Sequence, residues 1–188
     1  MNKKFSTLVA TLLLSGALFT LDAAATSLTE FDKTEGVEMA ADGLSLKLTA
    51  DVSLADQKAY LLIDKDNFVL DGNSKKFTGH IVITGKNVTV KNLTVDYKNV
   101  IKEGDGIDGT ITINKTAISA YTEGVTISNC IINCSSDLYI ANGITVYPKT
   151  ADAKIKIEKV TVNNANKENG GDYSSAILVA QGMDVQPE

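Results

Sequence analysis

The sequence predicts an all-β fold in which one chain winds through parallel strands as a solenoid of about four to five coils, the last of them incomplete. Three observations carry that expectation. From residue 26 onward helical periodicity is absent and short β-branched runs dominate. Asn87–Tyr97, Gly124–Cys134 and Lys154–Asn164 each read apolar-x-apolar, a polar break, then apolar-x-apolar again. A second set precedes them: His80-Ile-Val-Ile-Thr84, Ala117-Ile-Ser-Ala-Tyr121 and Gly143-Ile-Thr-Val-Tyr147, with a fourth copy, Ala176-Ile-Leu-Val-Ala180, near the end. Ile81, Ile118, Ile144 and Ile177 therefore recur 37, 26 and 33 residues apart, within the period of roughly 20 to 50 that marks stacked repeats.

Successive strands are separated by only one or two polar residues, too few to reverse the chain as a hairpin does but enough to turn a corner. Each strand must then pair with its own copy one coil later, in parallel ladders about 4.8 Å apart. Inward columns follow: Val88, Val125 and Ile155; Val90, Ile127 and Ile157; Leu93, Cys130 and Val160; Val95, Ile132 and Val162. Asn92 and Asn129 share a corner, where a side-chain amide satisfies turning backbone groups. Unequal repeat lengths fall in loops at 98–115, 135–142, 149–153 and 165–174.

Taken in order, residues 1–25 read as a signal peptide. Lys3 and Lys4 make a basic start, Phe5 to Leu21 is apolar, and Ala23, Ala24 and Ala25 supply an A-x-A cleavage site. The apolar run is shorter than the roughly 20 residues a bilayer span needs, and no cysteine follows to take a lipid. The chain is expected to be exported, to the periplasm, the cell surface or beyond, with no transmembrane segment after cleavage. Residues 26–43 form a lead-in, and 44–188 the solenoid domain. Leu44–Asp51 and Tyr60–Asp64 look like entry strands; Phe68–Asn73 and Lys75–Gly79 read as strand, turn, strand.

The net charge is −5, and every basic side chain besides His80 is lysine, with no arginine and no tryptophan. Removing Lys3, Lys4 and Asp22 makes the remainder one unit more negative. A negative surface excludes nucleic acid and anionic lipid as partners, since both depend on basic patches. Cys130 and Cys134 lie in an alternating run. Four residues of strand hold Cα atoms roughly 13 Å apart, beyond the limit of about 7 Å for a disulfide. Buried, inert thiols are expected.

The succession Leu46-Lys-Leu-Thr-Ala-Asp-Val52, Leu62-Ile-Asp-Lys-Asp66, Val69-Leu-Asp-Gly-Asn73 and Asn87-Val-Thr-Val-Lys-Asn-Leu-Thr-Val95 resembles the pectate-lyase-like superfamily. It is most similar to the branch found in large bacterial secreted and cell-surface proteins, and the resemblance spans Leu44 to Gly182. It implies a single-stranded right-handed parallel β-helix. Function is left open, because that scaffold carries lyases, hydrolases, esterases, adhesins and spacers.

Lyases of the superfamily take a proton beside a uronate carboxylate with a base, often arginine, and use calcium to hold the resulting charge. The arginine is missing here, and a lysine base needs a depressed pKa in a carboxylate-rich pocket. Two acidic groups are present: Glu103, Asp105 and Asp108 in a Gly-rich loop, and Asp64, Asp66 and Asp71 near the first coil. Calcium takes about six to eight oxygens, and neither group has an established ligand spacing. No cofactor or metal site is assigned, and calcium is the one ion left open. Glu103, Asp105 and Asp108 stand as candidate binding residues. The hydrolase pattern has no counterpart, because His80 lacks its basic partner and reads as structural.

Tyr121 and Tyr147 occupy one outward column, either as a stacking platform for sugar rings or as a cross-strand pair that stabilises the sheet. After Ala180 the fourth coil stops short, leaving an open edge. That edge points to the N-terminal part of a longer protein or to a paired partner. The sequence therefore predicts a non-catalytic exported module for adhesion, glycan contact or spacing, with a polysaccharide or another surface protein as partner. The alternative is a polysaccharide lyase or glycoside hydrolase active only with further coils.

Overall fold

The computed structural model describes residues 13–14, 17–18, 25–54, 59–99, 116–136, 142–148, 150, 153–163 and 175–180. β1 (Leu13–Leu14) and β2 (Ala17–Leu18) form a short antiparallel pair. The remaining strands make two sheets. The larger holds β4 (Val37–Met39), β5 (Ser45–Leu48), β6 (Val52–Ser53), β8 (Val69–Thr78), β10 (Thr89–Asn99), β12 (Thr126–Ser136) and β14 (Lys156–Asn163). The smaller holds β3 (Ala25–Thr26), β7 (Tyr60–Ile63), β9 (His80–Ile83), β11 (Thr116–Ala120), β13 (Asn142–Val146) and β15 (Ile177–Val179). From β7 to β15 the strands alternate between the sheets, so each pairs with the strand two elements later. Apart from β4 on β5, every pairing within these sheets is parallel. The chain is all-β, with α1 (Leu28–Phe31) its one helix among the described residues.

The register is the one that the apolar spacing predicts. Ile81, Ile118, Ile144 and Ile177 stand in one row of paired positions. Val90, Ile127 and Ile157 make another, and Val95, Ile132 and Val162 a third. All but Ile177 pack in or against a common core between the sheets, joined by Phe31, Phe68 and Phe77. Cys130 and Cys134 are buried and unlinked in that core.

The corners are set by residues in left-handed conformation. Asn67, Asn87 and Gly124 turn one corner with φ of 58°, 56° and 75°. Asn73, Asn92, Asn129 and Lys159 turn another, with φ of 49°, 52°, 51° and 53°. Asparagine tolerates this region because its amide bonds locally. Asn87 Nδ2 donates to Asn67 Oδ1 across one rung at 3.2 Å, and Asn73 Nδ2 donates to the Leu48 carbonyl at 3.1 Å.

The two ends of the stack differ. At the N-terminal end the stretch expected to be a lead-in builds structure. Thr26 pairs with Leu61, Ser27 and Glu30 form a capping box, and the Phe31 ring meets Phe77 edge-on at 5.8 Å and 80°. β4 then lies antiparallel on β5. At the other end of the described strands, Ile177 is 47% exposed and Val179 67%. No described helix is long and apolar enough to cross a membrane.

Candidate functional site

The two sheets differ in their outer faces, and that of the smaller sheet is largely buried. β7, β9, β11 and β13 are buried on both sides, and Tyr60-Leu-Leu-Ile63 is apolar throughout, which suits a sheet covered on both faces. Leu61 and Ile63 join the central core, while Tyr60, Leu62 and Val82 form a second buried cluster against Ala25 and Tyr121. His80 belongs to the same face, 1% exposed, with its ring 5.5 Å from Tyr60 and 6.0 Å from Tyr97.

Tyr121 and Tyr147 do share a column, fixed by Ala120 pairing with Val146 and by the Tyr147 amide donating to the Ala120 carbonyl at 2.8 Å. Their rings lie parallel within 3°, with centroids 4.4 Å apart, and Tyr147 is only 8% exposed. Each ring spends one face on the other, so the pair does not present two faces side by side to a sugar. Burial raises both hydroxyl pKa values above the usual tyrosine value, with Tyr147 adding to the shift at Tyr121.

Glu103, Asp105 and Asp108 lie outside the described residues. Asp66 and Asp71, from the other acidic group, serve corners. Asp66 Oδ1 accepts the Lys86 backbone N–H at 2.7 Å, and Asp71 Oδ1 accepts those of the Asn73 backbone and the Asn92 amide at 2.9 and 3.1 Å. Asp64 is exposed. Among the described residues no three histidine, cysteine, aspartate or glutamate side chains gather as a metal site.

The larger sheet carries a different outer face, and sequence reading did not single it out. Parallel register brings Lys47, Asp71, Lys91, Ser128 and Glu158 into one column. Lys76, Thr94, Ile131 and Thr161 make the next, and Thr78, Asp96, Asn133 and Asn163 the third. Lys91 Nζ reaches Asp71 at 3.3 Å, and Lys76 Nζ reaches Asp96 at 3.3 Å. Asn163 Nδ2 donates to Asn133 Oδ1 at 2.9 Å, and Asn133 Nδ2 donates to Asp96 Oδ1 at 2.7 Å. The result is a ladder of amides ending on a carboxylate. Beside it stands Ile131, an outward aliphatic 46% exposed between two threonines.

Asp71 is a poor general acid. Burial works to raise the Asp71 pKa, but the Asn73 backbone N–H, the Asn92 amide and Lys91 together hold it below the ordinary carboxylate value. A general acid requires the opposite shift. The strip can instead hydrogen-bond a polar ligand with groups already fixed in place and offer Ile131 to an apolar patch. No protein-family model matches the chain, and neither does any curated protein or solved structure.

Proposed function

We propose that the protein is an exported, non-catalytic module built as a single-stranded right-handed parallel β-helix, whose larger sheet meets glycan at a surface. The alternation of strands from β7 to β15 between two parallel sheets supports the winding, and right-handed crossover is the general rule for parallel connections. The observation that carries the functional reading is the outer strip itself: Asp96, Asn133 and Asn163 in a hydrogen-bonded ladder beside exposed Ile131. Sugars present hydroxyls at their edges and C–H groups on their faces. A row of amides flanking an aliphatic side chain complements both, and fixed side chains lose little entropy on binding.

Two measurements test it. On an array of uronic-acid and neutral polysaccharides, the exported chain should bind, and Ile131→Lys should weaken binding by about tenfold, or about 1.4 kcal/mol. Depolymerase assays on the same panel, with and without calcium, should show no cleavage. Calcium-dependent chain scission would overturn the non-catalytic reading, and binding indifferent to Ile131→Lys would overturn the strip.

A further inference from the structure

The two ends of the stack are not alike, and the difference decides how copies can meet. The N-terminal end is closed by α1, with Phe31 1% exposed, and by β4 lying antiparallel on β5. The opposite end presents β14 and β15, each pairing with only one described strand. On that end Ile177 and Val179 continue the core columns of Ile144 and Val146, yet stand 47% and 67% exposed. Ile155, Ile157, Val160 and Val162, half-buried, complete an apolar rim. Apolar columns open to water at the edge of a sheet are a template for another strand.

We propose that this end pairs with the same end of a second copy of the chain, β14 against β14, antiparallel about Ile157. Two features select that occupant. An antiparallel pair of identical strands is isologous and closes at two copies. The charges on β14 are also self-complementary. Lys156 and Glu158 point to the same face on either side of Ile157 and bridge one another at 3.0 Å, both well exposed. A two-fold axis through Ile157 sets Lys156 opposite Glu158 of the second copy, and Glu158 opposite Lys156 of the second copy. Facing side chains in an antiparallel pair stand about 5 Å apart, close enough for both ion pairs to form.

The inference rests on the described strand pairing, not on glycan contact, so each can fail alone. Sedimentation velocity on the exported chain should show a monomer giving way to its dimer as concentration rises. Lys156→Glu and Glu158→Lys should each weaken the dimer by about tenfold, because like charges then face each other twice. Mixing the two variants should restore association as a heterodimer, and the double exchange K156E/E158K should restore the homodimer. These exposed positions leave the core untouched, and circular dichroism should match the parent chain. A chain that stays monomeric at its highest soluble concentration overturns the proposal. So does a dimer that neither variant weakens, or one that mixing fails to rescue.

Discussion

At the scale of single residues, the corners carry the strain. Asparagine and glycine hold most of the left-handed positions, but Lys159 occupies the last of its column with φ 53°. A lysine pays about 1 kcal/mol there that asparagine largely avoids. Lys159→Asn should therefore raise the thermal midpoint by roughly 2–4 °C, the shift expected for 1 kcal/mol in a chain of this size. Gly124 shows the converse. Its φ is 75°, and an added Cβ would meet the Asn87 side chain. Gly124→Ala should cost about 1–3 kcal/mol in a denaturant titration, through backbone strain and crowding together. Buried titratable groups set the response to alkali. Burial pushes the Cys134 thiol from 9.0 up to about 11 and the Tyr60 hydroxyl from 10.0 up to about 12. Both are raised in the folded state, so their stabilisation is complete below pH 9 and is lost as pH climbs to about 12. Midpoints measured from pH 8 upward should fall through that window, and Cys134→Ser should reduce the part that begins near pH 9, to which Cys130, likewise raised by burial, also contributes. A midpoint flat to pH 11 would contradict the burial of both groups.

At the scale of elements, the strand ladders were legible because β12 and β14 repeat the alternation of β10 with the same corner between two apolar-x-apolar arms. The inward columns and the Asn92–Asn129 corner follow from that repeat alone. α1 was not anticipated: 26–43 was read as a lead-in, and a single turn leaves no periodicity, so its one signal was the Ser27-x-x-Glu30 capping box. The outer strip of the larger sheet was not legible. The ion pairs of Lys76 and Lys91 and the amide bonds of Asn133 and Asn163 join residues 20 or more positions apart, and appear only once register is fixed. Tyr121 and Tyr147 were placed in the right column, but alternation cannot tell a ring face turned to solvent from one turned to its neighbour. Their 4.4 Å stack links β11 to β13 directly. A double-mutant cycle with Tyr121→Leu and Tyr147→Leu should return a coupling of about 0.5–1.5 kcal/mol, the range for aromatic pairs beyond their burial. Additive losses would mean that the rings merely fill space.

At the scale of the molecule, each rung touches only the rungs beside it, so stability is a sum of local interfaces and varies along the stack. Burial measures the gradient. Ile81, Ile118 and Ile144 are each 0% exposed, whereas Ile177, at the next step of the same column, is 47% exposed. Ile118→Ala should cost about 2–5 kcal/mol, the range for deleting an enclosed aliphatic side chain, and Ile177→Ala much less, because no cavity forms at an open end. Hydrogen exchange should show the same order, with amides of β9 to β12 opening only on global unfolding and those of β15 opening first. Pairing through the open end adds a further requirement. A second copy covers β14, so exchange in β14 must slow as concentration rises past the dimerisation midpoint, while β9 to β11, away from the contact, hold their rates. The E158K variant, examined at the same concentrations, separates the two causes. If β14 stays slow in that variant, the chain's own packing protects it; if it quickens while β9 to β11 do not change, the second copy does.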